Sequence, residues 1–180
     1  MIMHYQQWVL LVVIAIFGAG VIGSYIQGIA VNPGGAEKLW GNVTGGLRIF
    51  NYITMLLAVA GFFMFTYYLF FRTDPSVAKV AGDLNFWVFI IIYALILLPS
   101  AFWMPLTFNV LTTQNTWAWV ADRAVLFIVG FASLGLTVAL LTLQPRISDV
   151  AYWMAVAGSV LFCIQTLIMD AFIWAANFKY

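Results

Sequence analysis

Charge is scarce in this chain: seven lysines and arginines and six aspartates and glutamates among 180 residues. A soluble domain carries about 25% charged residues, against 7% here, so water is not the main solvent of this protein. A formal net charge of +1 provides neither a basic surface for nucleic acid nor an acidic tail, and no nucleic-acid partner is expected. Histidine occurs once, His4, ahead of the first apolar run, which rules out a haem held by two histidines of one chain and leaves no zinc spacing. Cysteine also occurs once: Cys163 can form no internal disulfide and reads as a small buried hydrophobe. Long linkers, low-complexity tracts and internal repeats are missing, so residues 1–180 read as one membrane domain.

Apolar residues dominate, at 65%, with a mean hydropathy of +1.04. A helix crosses the hydrocarbon core with about 20 apolar residues, and five runs reach that length: 8–29, 47–71, 86–108, 116–143 and 150–175. The fold class is an all-α integral membrane protein, a bundle of five transmembrane helices in a lipid bilayer. The first run has no Lys or Arg before it and is too long for a signal peptide, so it is expected to stay in the mature protein. Trp8, Trp87, Trp117, Trp119, Trp153 and Trp174 sit near span ends as an interfacial belt. Positive residues divide evenly, with Arg72, Lys79 and Arg146 on one side and Lys38, Arg48 and Lys179 on the other, so charge counting ties on orientation. The sequon Asn42-Val43-Thr44 is short enough to arise by chance.

Gly18-x-Gly20-x-x-Gly23, with Glu37 downstream, has the spacing of a dinucleotide-binding loop. That loop needs a buried strand before it and a second strand after it; here the glycines lie inside a span, and Asn32-Pro33-Gly34-Gly35 is turn chemistry. The same residues form two small-xxx-small ridges, Ala15/Ala19/Gly23 and Gly20/Ser24/Gly28, suited to close helix packing.

Ionisable groups inside spans are costly in lipid and mark candidate sites. Alternating span direction brings Arg48, Asp122, Arg123 and Asp170 to one membrane face, where they are expected to neutralise one another. A purely structural role, locking helices together or reaching the headgroups, is the competing reading. The same end carries Trp103, Pro105, Thr107 and Asn109 on span three, and Asn51 and Tyr52 on span two. On span five Thr166, Asp170, Trp174 and Asn177 recur at helical spacing, predicting an inward polar face. Pro99 and Pro105 predict a kink in span three. The longest loop, 30–46, lies at this face and, with Trp40, reads as a lid or else a plain connector.

Two stretches carry a distant resemblance to the TspO, or translocator protein, family of five-helix membrane proteins. Trp103-Met104-Pro105-Leu106-Thr107-Phe108 follows the family's Trp-x-Pro-Leu-x-Phe. Met169-Asp170-Ala171-Phe172-Ile173-Trp174, followed by Asn177, resembles its Leu-Asn-x-x-Ile-Trp, with Asp170 in the place of asparagine. The family's Pro- and Trp-rich opening of span two has no counterpart, since span two contains no tryptophan. The resemblance implies a pocket for a flat, largely apolar ligand lined by Trp103, Asp170 and Trp174, with Trp40 on its lid.

The expected function is binding or transport of a hydrophobic molecule of the tetrapyrrole, sterol or carotenoid class, with Arg48 or Arg123 receiving a tetrapyrrole carboxylate. The candidate site comprises Trp40, Arg48, Asn51, Tyr52, Trp103, Pro105, Asn109, Asp122, Arg123, Asp170, Trp174 and Asn177. No metal site is expected. The alternative is a structural subunit of a homodimer or larger membrane complex, which the short loops favour. An enzyme ranks last: no Ser-His-Asp set or cysteine nucleophile presents itself, leaving Asp122 and Asp170 as an acid–base pair.

Overall fold

A computed structural model describes residues 3–178; Lys179, counted above in the charge balance, lies outside them. Four helices of 27 residues each form the first four spans: α1 (Tyr5–Val31), α3 (Gly45–Phe71), α4 (Trp87–Thr113) and α5 (Thr116–Thr142). At about 1.5 Å per residue each is about 40 Å long, more than a hydrocarbon core of about 30 Å requires. The fifth span starts as α6 (Val150–Cys163), continues as a π-helical segment (Ile164–Trp174) and ends in the short α7 (Ala175–Asn177). The chain is an integral membrane protein with five membrane-spanning helices. Large apolar side chains such as Ile16, Leu56, Ile91, Phe131 and Phe172 stand on the outer surface, where lipid replaces water.

Helix ends follow local chemistry. Asn115 caps α5, its side-chain oxygen accepting from Trp117 N at 2.8 Å, and Asp149 caps α6 by accepting from Tyr152 N at 3.0 Å. Asp149 also pairs with Arg72 at the end of α3, which ties two spans at that face. Between α3 and α4 a hairpin of β1 (Lys79–Val80) and β2 (Leu84–Asn85) exchanges two backbone bonds of 2.7 Å with Gln144, joining the two loops of this far face. The Gln7 side chain donates to the Phe70 carbonyl at 2.9 Å, fastening the start of α1 to the end of α3.

In packing order, α1 lies on α4, α4 on α5, α5 on α6 and the π-helical segment, and α6 on α3. Apart from the far-face contact through Gln7, α1 and α3 do not pack extensively on each other. α3 and α6 approach closely at a pair of glycines, where a Cβ on Gly158 would lie 2.8 Å from the Gly61 Cα. Of the two small-residue ridges on α1, one meets α4 at two of its glycines: a Cβ on Gly20 would lie 3.7 Å from the Ala101 Cβ, and one on Gly28 would lie 2.6 Å from the Met104 side chain. The other, Ala15/Ala19/Gly23, is exposed, with nothing within 4 Å of a Cβ at Gly23.

The far half of the bundle is solid: Phe65, Tyr68, Phe86, Phe89, Tyr93, Leu136, Leu140 and Tyr152 form one buried cluster. α4 remains helical through Pro99 and Pro105.

Candidate functional site

The opposite, lid-side half holds a partly open cavity of about 470 Å³ among α1, α3, α4, α5 and the fifth span. On α4 it follows Ile96, Leu97, Ser100, Trp103 and Met104, a stretch that includes Pro99, the residue that cannot donate its backbone hydrogen bond. Its wall is mainly apolar, with Met55, Ala58, Val59 and Phe62 from α3 and Val125, Leu126 and Val129 from α5.

The polar part of the wall is built by the π-helical segment. Its i→i+5 repeat places residues five apart on adjacent turns, so the Gln165 amide donates to Asp170 Oδ1 at 2.8 Å. The same amide group donates to Asn51 Oδ1 at 3.1 Å, and its oxygen accepts from the Thr54 hydroxyl at 2.5 Å. Asn51, Thr54 and Gln165 are buried, so this network joins α3 to the fifth span and satisfies groups that would otherwise be stranded in hydrocarbon. Gly130 on α5 faces this segment; a Cβ there would lie 2.9 Å from the Leu167 Cα, so glycine admits the backbone of the π-helical segment.

An aromatic group closes the outer end. The Trp103 ring lies 5.6 Å from both Tyr25 and Trp174, centroid to centroid. Trp174 Nε1 donates to the Leu39 carbonyl at 2.7 Å, and Asn42 N donates to the Asn177 carbonyl at 3.0 Å, so the fifth span holds the connecting segment in place. That segment contains the one-turn α2 (Gly35–Lys38) and seats Leu39 against Met104 and Phe108. Ala36, Leu39 and Trp40 line the cavity, so 30–46 covers it. Outside, Arg48 grips Glu37 through two bonds of 2.5 and 2.8 Å, lies 4.7 Å from the Trp40 ring centroid and donates to the Tyr52 hydroxyl at 3.3 Å. The Arg48 guanidinium holds the Glu37 carboxyl below the usual glutamate range.

Of the residues singled out by sequence, Trp40, Asn51, Trp103, Asp170 and Trp174 line the cavity. Arg48 and Tyr52 belong to the external clasp instead. Pro105, Asn109 and Arg123 are exposed, and Arg123 lies 5.9 Å from the Trp119 ring centroid. Asn177 returns its side-chain amide to the Ile173 carbonyl at 2.8 Å. Asp122 is fully buried behind the wall, with the Thr107 hydroxyl at 3.2 Å.

The expected mutual pairing of Arg48, Asp122, Arg123 and Asp170 is therefore corrected: among the described residues none of the four forms an ion pair with another. Neighbours on a helix point about 100° apart, so α5 turns Asp122 inward and Arg123 outward, while Arg48, in the first turn of α3, meets Glu37. Neither arginine lines the cavity, so neither is placed to receive a ligand carboxylate there.

Sequence reasoning missed Tyr25, Met55, Phe62, Ser100 and Gln165 in the wall. Gln165 had a signal, being a polar residue in mid-span beside Thr166; the apolar and aromatic residues had none beyond their place in a span. One group near the cavity is unsatisfied: the buried Trp103 Nε1 has no hydrogen-bond acceptor, a state that costs about 1–3 kcal/mol. No group of three His, Cys, Asp or Glu side chains able to hold a metal occurs among the described residues. No protein-family model, curated protein or solved structure matches the chain.

Proposed function

We propose that this protein binds, and in its membrane carries or hands on, a largely apolar small molecule held in the lid-side cavity. The observation that carries this reading is the contrast between a solid far half and a partly open cavity of about 470 Å³ in the same five helices. Ligand pockets of small molecules typically measure about 300–1,000 Å³ and are mainly apolar with a few placed polar groups. Trp103 and Trp174 offer faces and edges for a flat ring, the contact that favours tetrapyrrole, sterol or carotenoid ligands. The similarity of 103–108 and 169–174 to the translocator protein family supports the same reading. The sparse contact between α1 and α3 on the lid side leaves the lipid phase as the natural source of the ligand.

The test is a titration of the protein in lipid nanodiscs with protoporphyrin, retinol and cholesterol, following tryptophan emission. At least one is expected to give saturable, stoichiometric quenching that Ser100→Phe, which projects a ring into the cavity, weakens at least tenfold. No saturable response from any of them, or a response indifferent to Ser100→Phe, contradicts the proposal.

A second reading, a subunit of a homodimer or larger membrane complex, draws on the exposed Ala15/Ala19/Gly23 ridge of α1. Purification in mild detergent decides it: stoichiometric partner chains that Gly23→Leu dissociates support it, and a partner-free monomer counts against it.

A further inference from the structure

We infer that the bound molecule carries a hydrogen-bond-donating head, an amine before an alcohol, received by Asp170, and that carboxylate-headed molecules are rejected. This rests on the binding reading above and narrows its ligand class.

Among the described residues no Lys, Arg or His lines the cavity, and the one carboxyl side chain in its wall is that of Asp170. Asp170 Oδ1 accepts from Gln165, whereas Oδ2 accepts no hydrogen bond among the described residues. An open carboxyl oxygen on a mainly apolar wall is the complement of an N–H or O–H donor, and a cationic donor makes the stronger bond.

Most neighbouring polar groups are already engaged with one another. The two amide hydrogens of Gln165 go to Asn51 and Asp170, and its oxygen is taken by Thr54. The Ser100 hydroxyl donates to the Ile96 carbonyl at 2.6 Å, and the Thr166 hydroxyl lies 2.9 Å from the Phe162 carbonyl and 2.6 Å from the Ser133 hydroxyl. What remains is neutral: the Tyr25 hydroxyl, the Asn51 amide and the acceptor-less Trp103 indole. These suit the oxygen of an alcohol. They offer no positive charge to a carboxylate. The arginines that would have served a carboxylate are outside, Arg48 already bound to Glu37.

Three probes with one flat apolar body separate the heads: 1-pyrenemethylamine, 1-pyrenemethanol and 1-pyrenecarboxylic acid. Energy transfer from tryptophan to pyrene is read in nanodiscs, with protein-free discs correcting for partition into lipid. The amine and the alcohol are expected to saturate, the amine at least as tightly, with the acid at least tenfold weaker. Asp170→Asn is expected to bring the amine to or below the level of the alcohol. Equal binding of acid and amine by the unsubstituted protein overturns the inference while leaving the binding reading intact, as does an order of affinities unchanged in a folded Asp170→Asn protein. If none of the three saturates, the binding reading falls and this inference with it. The head series on the unsubstituted protein decides the matter even where the variant does not fold.

Discussion

The two halves of the bundle use the same helices in opposite ways. On the far side Phe65, Tyr68, Phe89 and Tyr93 fill the interior, and Gln7, the hairpin and the Asp149–Arg72 pair fasten the helix ends. On the lid side the helices separate around a void, and polar bonds replace apolar contacts as the link between α3 and the fifth span. The difference lies in the fifth span: α6 rests on α3 at Gly61 and Gly158, and beyond Cys163 the π-helical repeat turns Gln165 and Asp170 toward one another at the cavity. A solid half supplies rigidity, and a hollow half supported by it supplies room for a ligand.

Substitutions that treat the halves alike separate them most clearly. The largest expected effect is at the helix contact, where Gly61→Leu drives a side chain into the α6 backbone and costs more than about 4 kcal/mol, read as loss of folded protein in detergent. Ser100→Phe, a comparable enlargement toward the cavity, is expected to leave the thermal midpoint near that of the unsubstituted protein.

Truncation comes next. Phe89→Ala in the solid half costs about 3–5 kcal/mol, because Phe89 is fully buried. Met55→Ala, at a partly exposed cavity wall, costs about 1 kcal/mol or less. Equal losses in thermal stability would erase the distinction between the halves.

A smaller effect is local. Trp174→Phe removes the bond to the Leu39 carbonyl, worth about 1 kcal/mol. Faster amide exchange in 39–43 with unchanged exchange around Phe89 is the expected pattern.

The smallest effect concerns the clasp. Because the Glu37 carboxyl is held below its ordinary range, its contribution is complete above that range and is lost as pH falls through the depressed folded value. Amide exchange in the segment should therefore accelerate at pH values below the usual glutamate range. Glu37→Gln should show the faster exchange already at neutral pH, with that dependence gone.

Much of the fold was readable because lipid imposes a simple rule: apolar runs long enough to span became helices, four of them reaching a few residues past the run and α5 ending one residue short of it. The grouping of Trp103, Asn51, Asp170 and Trp174 at one end followed from alternating span direction alone. What sequence did not reveal is rotation and local repeat. An expectation that Arg48, Asp122, Arg123 and Asp170 neutralise one another takes no account of the angle that turns adjacent Asp122 and Arg123 to different faces. Glu37, a loop residue, was considered only for a nucleotide and not as a partner for Arg48. The π-helical segment has no composition of its own; it depends on packing, with Gly130 leaving space for the backbone at Leu167. A four-residue spacing found Thr166, Asp170 and Trp174, whereas the five-residue relation of Gln165 to Asp170 belongs to the π repeat.

The most direct measurement is a density map of the protein purified from its own membrane with no ligand added. Continuous non-protein density bounded by Trp103, Trp174, Met55 and Asp170 is the predicted result. Side chains closed over that space, with the lid-side half packed as solidly as the far half, would contradict the account.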